Sequence, residues 1–206
     1  METSQNKSNL SEGINLLYIA EIVSLAATVL ALVANFVYSL FGNLGNLVSI
    51  AVFILQIMGL LSAGKDDSKY QGIILFKVVN VIVSIIAVVV NAICYKIGNV
   101  PGVISAAFFS LISTAIGAFT FFQILGFTNE HLNLTGSGET ASLGSKTWIV
   151  YLVKLGIAIL AILLSVVGAI INISALTSMV GTLSSLAGIA VSVMSLLYYM
   201  QAKEQL

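Results

Sequence analysis

The sequence predicts an all-α protein, a polytopic transmembrane bundle of six helices arranged as three repeated helical hairpins. Three observations predict it: six apolar runs of spanning length, a one-sided distribution of lysines between them, and an internal repeat that relates one pair of helices to the next.

Hydrophobic residues make up 59% of the 206 and charged residues 8%, where a soluble domain carries about a quarter charged. A water-soluble fold of this size would lack the polar surface to cover itself. The charges fall mostly between apolar runs at 14–40, 44–63, 72–95, 103–125, 148–173 and 179–201. Each run is about 20 to 27 residues long, which crosses about 30 Å of hydrocarbon at 1.5 Å per residue.

The first run follows a polar segment, 1–13, that contains Lys7. A cleavable signal has an apolar stretch of about 7 to 15 residues; this one continues to position 40 and reads as a retained helix. The first and second runs meet at Phe41-Gly42-Asn43, and the third and fourth at 96–102, which holds the single proline, Pro101. Gly and Asn tolerate the backbone geometry that closes a helix, so these are tight helical hairpins. The fifth and sixth runs are joined at 174–178. Segment 126–147, rich in Gly, Ser, Thr and Asn, reads as a flexible cytoplasmic loop. The expected division is therefore a segment 1–13, a hairpin 14–64, a hairpin 65–125, the loop 126–147, and a third hairpin with a short tail, 148–206.

Lys7, Lys65, Lys69, Lys146 and Lys203 flank the spans on one side and only Lys96 on the other. Positive charge in short flanking segments marks the cytoplasmic side, which puts both termini there. The expected location is a cell membrane, and the absence of arginine beside abundant Lys, Asn and Ile suggests a bacterial source.

Displacing the chain by 56 positions aligns Glu21 with Lys77, Ser24 with Asn80, Thr28 with Ser84, Asn35 with Asn91, Gly42 with Gly98 and Ser49 with Ser105, without a gap. A further displacement of 77 brings Lys77 onto Lys154, in a third and more diverged copy. The spacing of Glu21, Ser24, Thr28 and Asn35 puts them on one helical face, and Lys77, Asn80, Ser84 and Asn91 repeat it. Lipid cannot satisfy such groups, so both stripes are expected to face the bundle interior. Ser184, Gly188 and Ser192, like Ala106, Ser110, Thr114 and Ala118, recur every four residues and suit close helix packing.

Glu21, Lys77 and Lys154 are the only charges inside the apolar runs, each expected one to two turns from the cytoplasmic end of its helix. An unpaired carboxylate at depth must protonate or find a cation, and the repeat puts both lysines at a matching level. The cluster reads first as an ion-pair lock. The alternatives are a gate or a site for an anionic or proton-coupled solute, and lysines that extend to lipid phosphates. Asn35, Asn91 and Gln56 read as amides that join helices. Trp148, Tyr151, Tyr198 and Tyr199 read as anchors at the water boundary.

His131 reads as a solvated loop residue, because no second ligand or nucleophile lies near it in the sequence. Cys94 reads as a small core residue. No catalytic or metal-binding motif occurs, so no enzyme activity, cofactor or metal is expected, and with no basic stripe no nucleic acid either. The expected partners are the lipid bilayer, a small polar or anionic solute, and a protein partner or a second copy in a homo-oligomer. Function is read, with a slight preference, as a small-solute or ion transporter or channel subunit lined by the polar stripes. The alternative is a structural or accessory membrane protein, serving assembly, immunity or partner binding, with a dry packed core.

Overall fold

The computed structural model describes residues 8–37, 42–171 and 175–206, with side chains outside 31–37, 42–47 and 175–182. Six helices follow one another: α1 (Asn9–Val37), α2 (Gly42–Asp66), α3 (Lys69–Ile97), α4 (Asn99–Leu134), α5 (Gly138–Ile171) and α6 (Ala175–Gln205). No strand occurs among the described residues. All six helices are long and apolar enough to cross a membrane, as in a multi-pass membrane protein. Their outward surfaces carry exposed Ile82, Ile85, Val88, Leu160, Leu163 and Ile170, which suit hydrocarbon and would be costly in water.

Each helix packs against its neighbours in the chain, and α6 returns to pack against α1, so the six form a closed ring. The odd helices do not pack against one another among the described residues. The buried core lies at one end of this ring, here termed the base. It is built from the start of α1 (Leu10, Ile14, Leu17), the end of α2 (Leu60, Ala63), the start of α3 (Tyr70, Ile73), the end of α4 (Ile124, Leu125, Leu132) and the end of α6 (Tyr198, Tyr199, Ala202). Close approach of α1 and α2 there depends on Gly13 and Gly59: a Cβ on Gly13 would stand 2.5 Å from the Gly59 carbonyl oxygen and 2.6 Å from the Ala63 nitrogen.

Polar bonds tie the base together. Asp66 accepts from the Asn9 side chain at 2.8 Å and from the Leu10 backbone N–H at 2.7 Å. Ser11 donates to the Lys203 carbonyl at 2.8 Å, and Ser62 to the Asn9 carbonyl at 3.1 Å. Tyr198 donates to Asn129 Oδ1 at 2.8 Å. Tyr198 and Tyr199 are therefore core residues rather than boundary anchors, since both are buried.

Segment 126–147 is not a loop for most of its length. α4 runs on to Leu134 and α5 begins at Gly138. At 36 and 34 residues these helices are about 50 Å long, some 20 Å more than the hydrocarbon layer, and the surplus is a polar helical hairpin at the base. Tertiary burial overrides the weak helix propensity of its Gly, Ser and Thr: Thr128, Leu132, Thr140, Ala141, Gly144 and Thr147 are all buried. The turn is a Schellman closure, with Ser137 N–H bonded to Leu132 O at 2.8 Å and Gly136 N–H to Asn133 O at 3.2 Å. Gly136 has φ +80°, the conformation that motif requires and that glycine adopts without strain. The 96–102 connection also tightens: α3 ends at Ile97, α4 starts at Asn99, and Pro101 sits in the first turn of α4, where its missing N–H costs nothing.

Candidate functional site: a polar band above the base

Cross-helix contacts set the register around the ring. Gly59 faces Gly13 and Leu17, Lys77 reaches Gln56, Phe76 packs on Phe119 at 4.8 Å, Phe121 stacks on Tyr151 at 4.4 Å, and Thr147 reaches the Met194 carbonyl at 3.5 Å. In this register every helix contributes a polar group to one band, about 12 Å deep at 1.5 Å per residue, whose lower edge at Gln123 and Ser195 overlaps the top of the packed core. The contributors are Glu21 (α1), Gln56 (α2), Lys77 and Asn80 (α3), Gln123 (α4), Lys154 (α5), and Ser192 and Ser195 (α6).

The charges of the band are not joined in ion pairs. Among the described residues, salt bridges within 4.0 Å form only at the base, Lys69 to Glu130 and His131 to Asp67. The Glu21 carboxylate lies beside Ser192 and in the fields of Lys154 and Lys77. Lys77 Nζ donates to Gln56 Oε1 at 2.8 Å. Lys154 Nζ stands 5.5 Å from the centroid of the Tyr151 ring, a cation–π geometry. The carboxylate thus faces two ammonium groups across the interior without closing on either.

Three further atoms give the band its chemical character. Asn80 Oδ1, Gln123 Oε1 and Ser195 Oγ are buried and have no hydrogen-bond partner in the protein. Leaving such a group unsatisfied costs about 1–3 kcal/mol, and native structures keep few of them. Ser195 is fully buried, one turn below Ser192 on the same face of α6.

The residues expected to form two continuous stripes divide between several roles. Thr28 and Ser84 donate to the carbonyl oxygens of Ser24 and Asn80 in the preceding turn, both at 2.9 Å, so their hydroxyls are satisfied locally. Ser84 is exposed rather than interior; Ser24, Thr28, Asn80 and Asn91 are half-buried. Asn91 accepts from Ser105 at 2.6 Å and so joins α3 to α4. The Asn35 side chain lies outside the described residues.

The depth of two of the three charges, Glu21 and Lys154, also differs from the sequence expectation, because α1 and α5 begin well before the apolar runs do. Glu21 lies about 14 Å up α1 from Glu12 and Lys154 about 24 Å up α5 from its start. Lys77, about two turns into α3, keeps its expected depth. Instead of extending to the base, its ammonium is taken up by Gln56.

Gln123, Ser192 and Ser195 were not among the residues the sequence singled out for the site. Gln123 carried a usable signal, an amide within the apolar run 103–125. Ser195 carried none, since a serine on a helix rich in small residues reads as packing.

His131 is not a free loop residue. Its Nε2 is 3.0 Å from Asp67 Oδ2 and its ring stacks on Tyr70 with centroids 6.5 Å apart. No group of three or more His, Cys, Asp or Glu is placed to hold a metal ion among the described residues.

Compared with protein-family models, curated proteins and solved structures, the chain matches none.

Proposed function

We propose that this chain is a transporter or channel subunit for a small polar solute or ion, and that the band of Glu21, Gln56, Lys77, Asn80, Gln123, Lys154 and Ser195 is where the solute binds. One observation carries the reading: three buried polar atoms without a protein partner lie in one band with an acid and two bases that do not pair. A packed structural core would be expected to match its polar groups internally, because nothing in hydrocarbon can do so. A ring closed by a core at one end and polar above it also suits passage through the interior, with the base acting as the barrier.

The reading includes an arrangement as three related hairpins and an orientation with the base on the cytoplasmic side of a bacterial cell membrane, as the lysines indicate. It is not enzymatic and requires no cofactor. Stopped-flow light scattering of proteoliposomes tests it: urea, acetate or a small amino acid should enter faster than into protein-free vesicles. Glu21→Gln and Lys77→Met should each alter that rate at unchanged helix content. Rates equal to those of empty vesicles for every solute would contradict it.

A second reading, an accessory or assembly subunit that binds a protein partner or a second copy of itself, is favoured by the polar hairpin of α4 and α5. That hairpin extends beyond hydrocarbon length and presents Glu130, Glu139 and Lys146 at its surface.

A further inference from the structure

The proposed function leaves the chemical class of the solute open, and the composition of the band narrows it. This step rests on the reading of the band as a solute site. A site for a simple anion would gain from Lys77 and Lys154 but would be opposed by Glu21 at the same level. A site for a simple cation would meet the reverse conflict. Both signs are present, and the Glu21 carboxylate is within the fields of both ammonium groups while lying outside 4.0 Å ion-pair contact with them. With neither ammonium closed on the carboxylate, both signs stay open to a group that carries both charges.

The uncharged members add a second constraint. Ser195 Oγ, fully buried and without a partner, lies one turn from Ser192, the α6 serine beside Glu21. An oxygen that lacks a donor is satisfied by a donor-rich group, and an ammonium brings three N–H bonds. Lys77 already donates one of its own to Gln56 and retains two for a carboxylate.

We infer that the band binds a small zwitterion of the amino-acid class, with its ammonium between Glu21 and Ser195 and its carboxylate between Lys77 and Lys154. A neutral polyol would not draw on the charges, and an ion of one sign would leave one side of the site opposed.

Equilibrium binding of radiolabelled probes to the purified full chain in detergent tests the inference. Glycine, L-alanine and L-glutamine are measured beside acetate and methylammonium. At least one amino acid should bind about tenfold or more tightly than either single-charge probe. Glu21→Gln and Lys77→Met should each weaken that binding about tenfold or more, in variants that elute as monodisperse peaks with unchanged helical circular dichroism. The wild-type ranking stands on its own should either variant fail to fold. Acetate or methylammonium binding as tightly as the amino acids would overturn the inference. So would an absence of amino-acid binding in a protein that speeds solute entry into proteoliposomes, and there the transport reading would survive. Neither binding nor entry would overturn both.

Discussion

Lys77 Nζ donates a 2.8 Å hydrogen bond to Gln56 Oε1, so the one base of α3 inside the bundle is held by a neutral amide from α2 rather than by a carboxylate. The amide accepts from Lys77 without closing the ion pair with Glu21, so acid and base stay separate in the interior, where polar groups call for a partner of either water or solute.

Replacing Gln56 by Leu should leave this ammonium buried without its acceptor. Thermal unfolding in detergent should report a loss of about 1–3 kcal/mol, and Lys77→Met in the same background should restore most of it. If the double variant is as unstable as Gln56→Leu alone, the two residues do not act as a pair.

At the base, Tyr198 donates to Asn129 Oδ1 at 2.8 Å from a fully buried position. Tyr198→Phe should lower stability by about 1–2 kcal/mol, because the Asn129 oxygen loses its donor. The same measurement on Asn129→Ala and on the double variant should show strong non-additivity; simple additivity would argue against the bond.

Gly13 permits backbone contact between α1 and α2. Gly13→Leu should push the helices apart and cost about 1–3 kcal/mol or more by overpacking. Gly72, with nothing within 4 Å of an added Cβ, should accept alanine with little change. Comparable losses at both positions would contradict the close approach.

Asp67, in the connection between α2 and α3, titrates below the usual carboxylate range. Burial opposes this, but the Lys69 backbone N–H, at 2.9 Å, and His131, at 3.0 Å, hydrogen-bond the ionised form and outweigh it. A lowered folded value means the carboxylate contributes stability above its unfolded value of about 3.9 and loses it as pH falls through the folded value. Thermal unfolding of wild type and Asp67→Asn should accordingly differ near pH 6, and the difference should shrink as pH falls through the folded value. A constant difference across that range would show that ionisation is not involved.

The number and approximate placement of the helices were legible in the sequence because span length and hydropathy are local properties. Segment 126–147 was not: its polar composition describes a loop locally, and only packing of Thr128, Leu132, Thr140 and Gly144 against the ends of α3 and α6 makes it helical. Gly136 was the readable clue, a glycine placed to close a helix. At the site, Glu21, Lys77, Lys154 and Gln56 announce themselves as polar groups among apolar ones. Their separation does not, because a repeat aligns residues along the chain and says nothing of distance across a ring. Ser195 and Tyr199 were illegible for the opposite reason, since a serine or a tyrosine near a helix end suits packing or a membrane boundary equally well.

The central claim is that the band above the base exchanges with water or solute, and thiol accessibility tests it most directly. Single cysteines at Asn80, Gln123 and Ser195, in a Cys94→Ala background, would be reacted in membranes with a small water-soluble thiol reagent, with a cysteine at Leu132, fully buried in the base core, as reference. Labelling at the three band positions with protection at position 132 is the predicted result. Protection at all four would mean a dry, packed interior and would contradict the account.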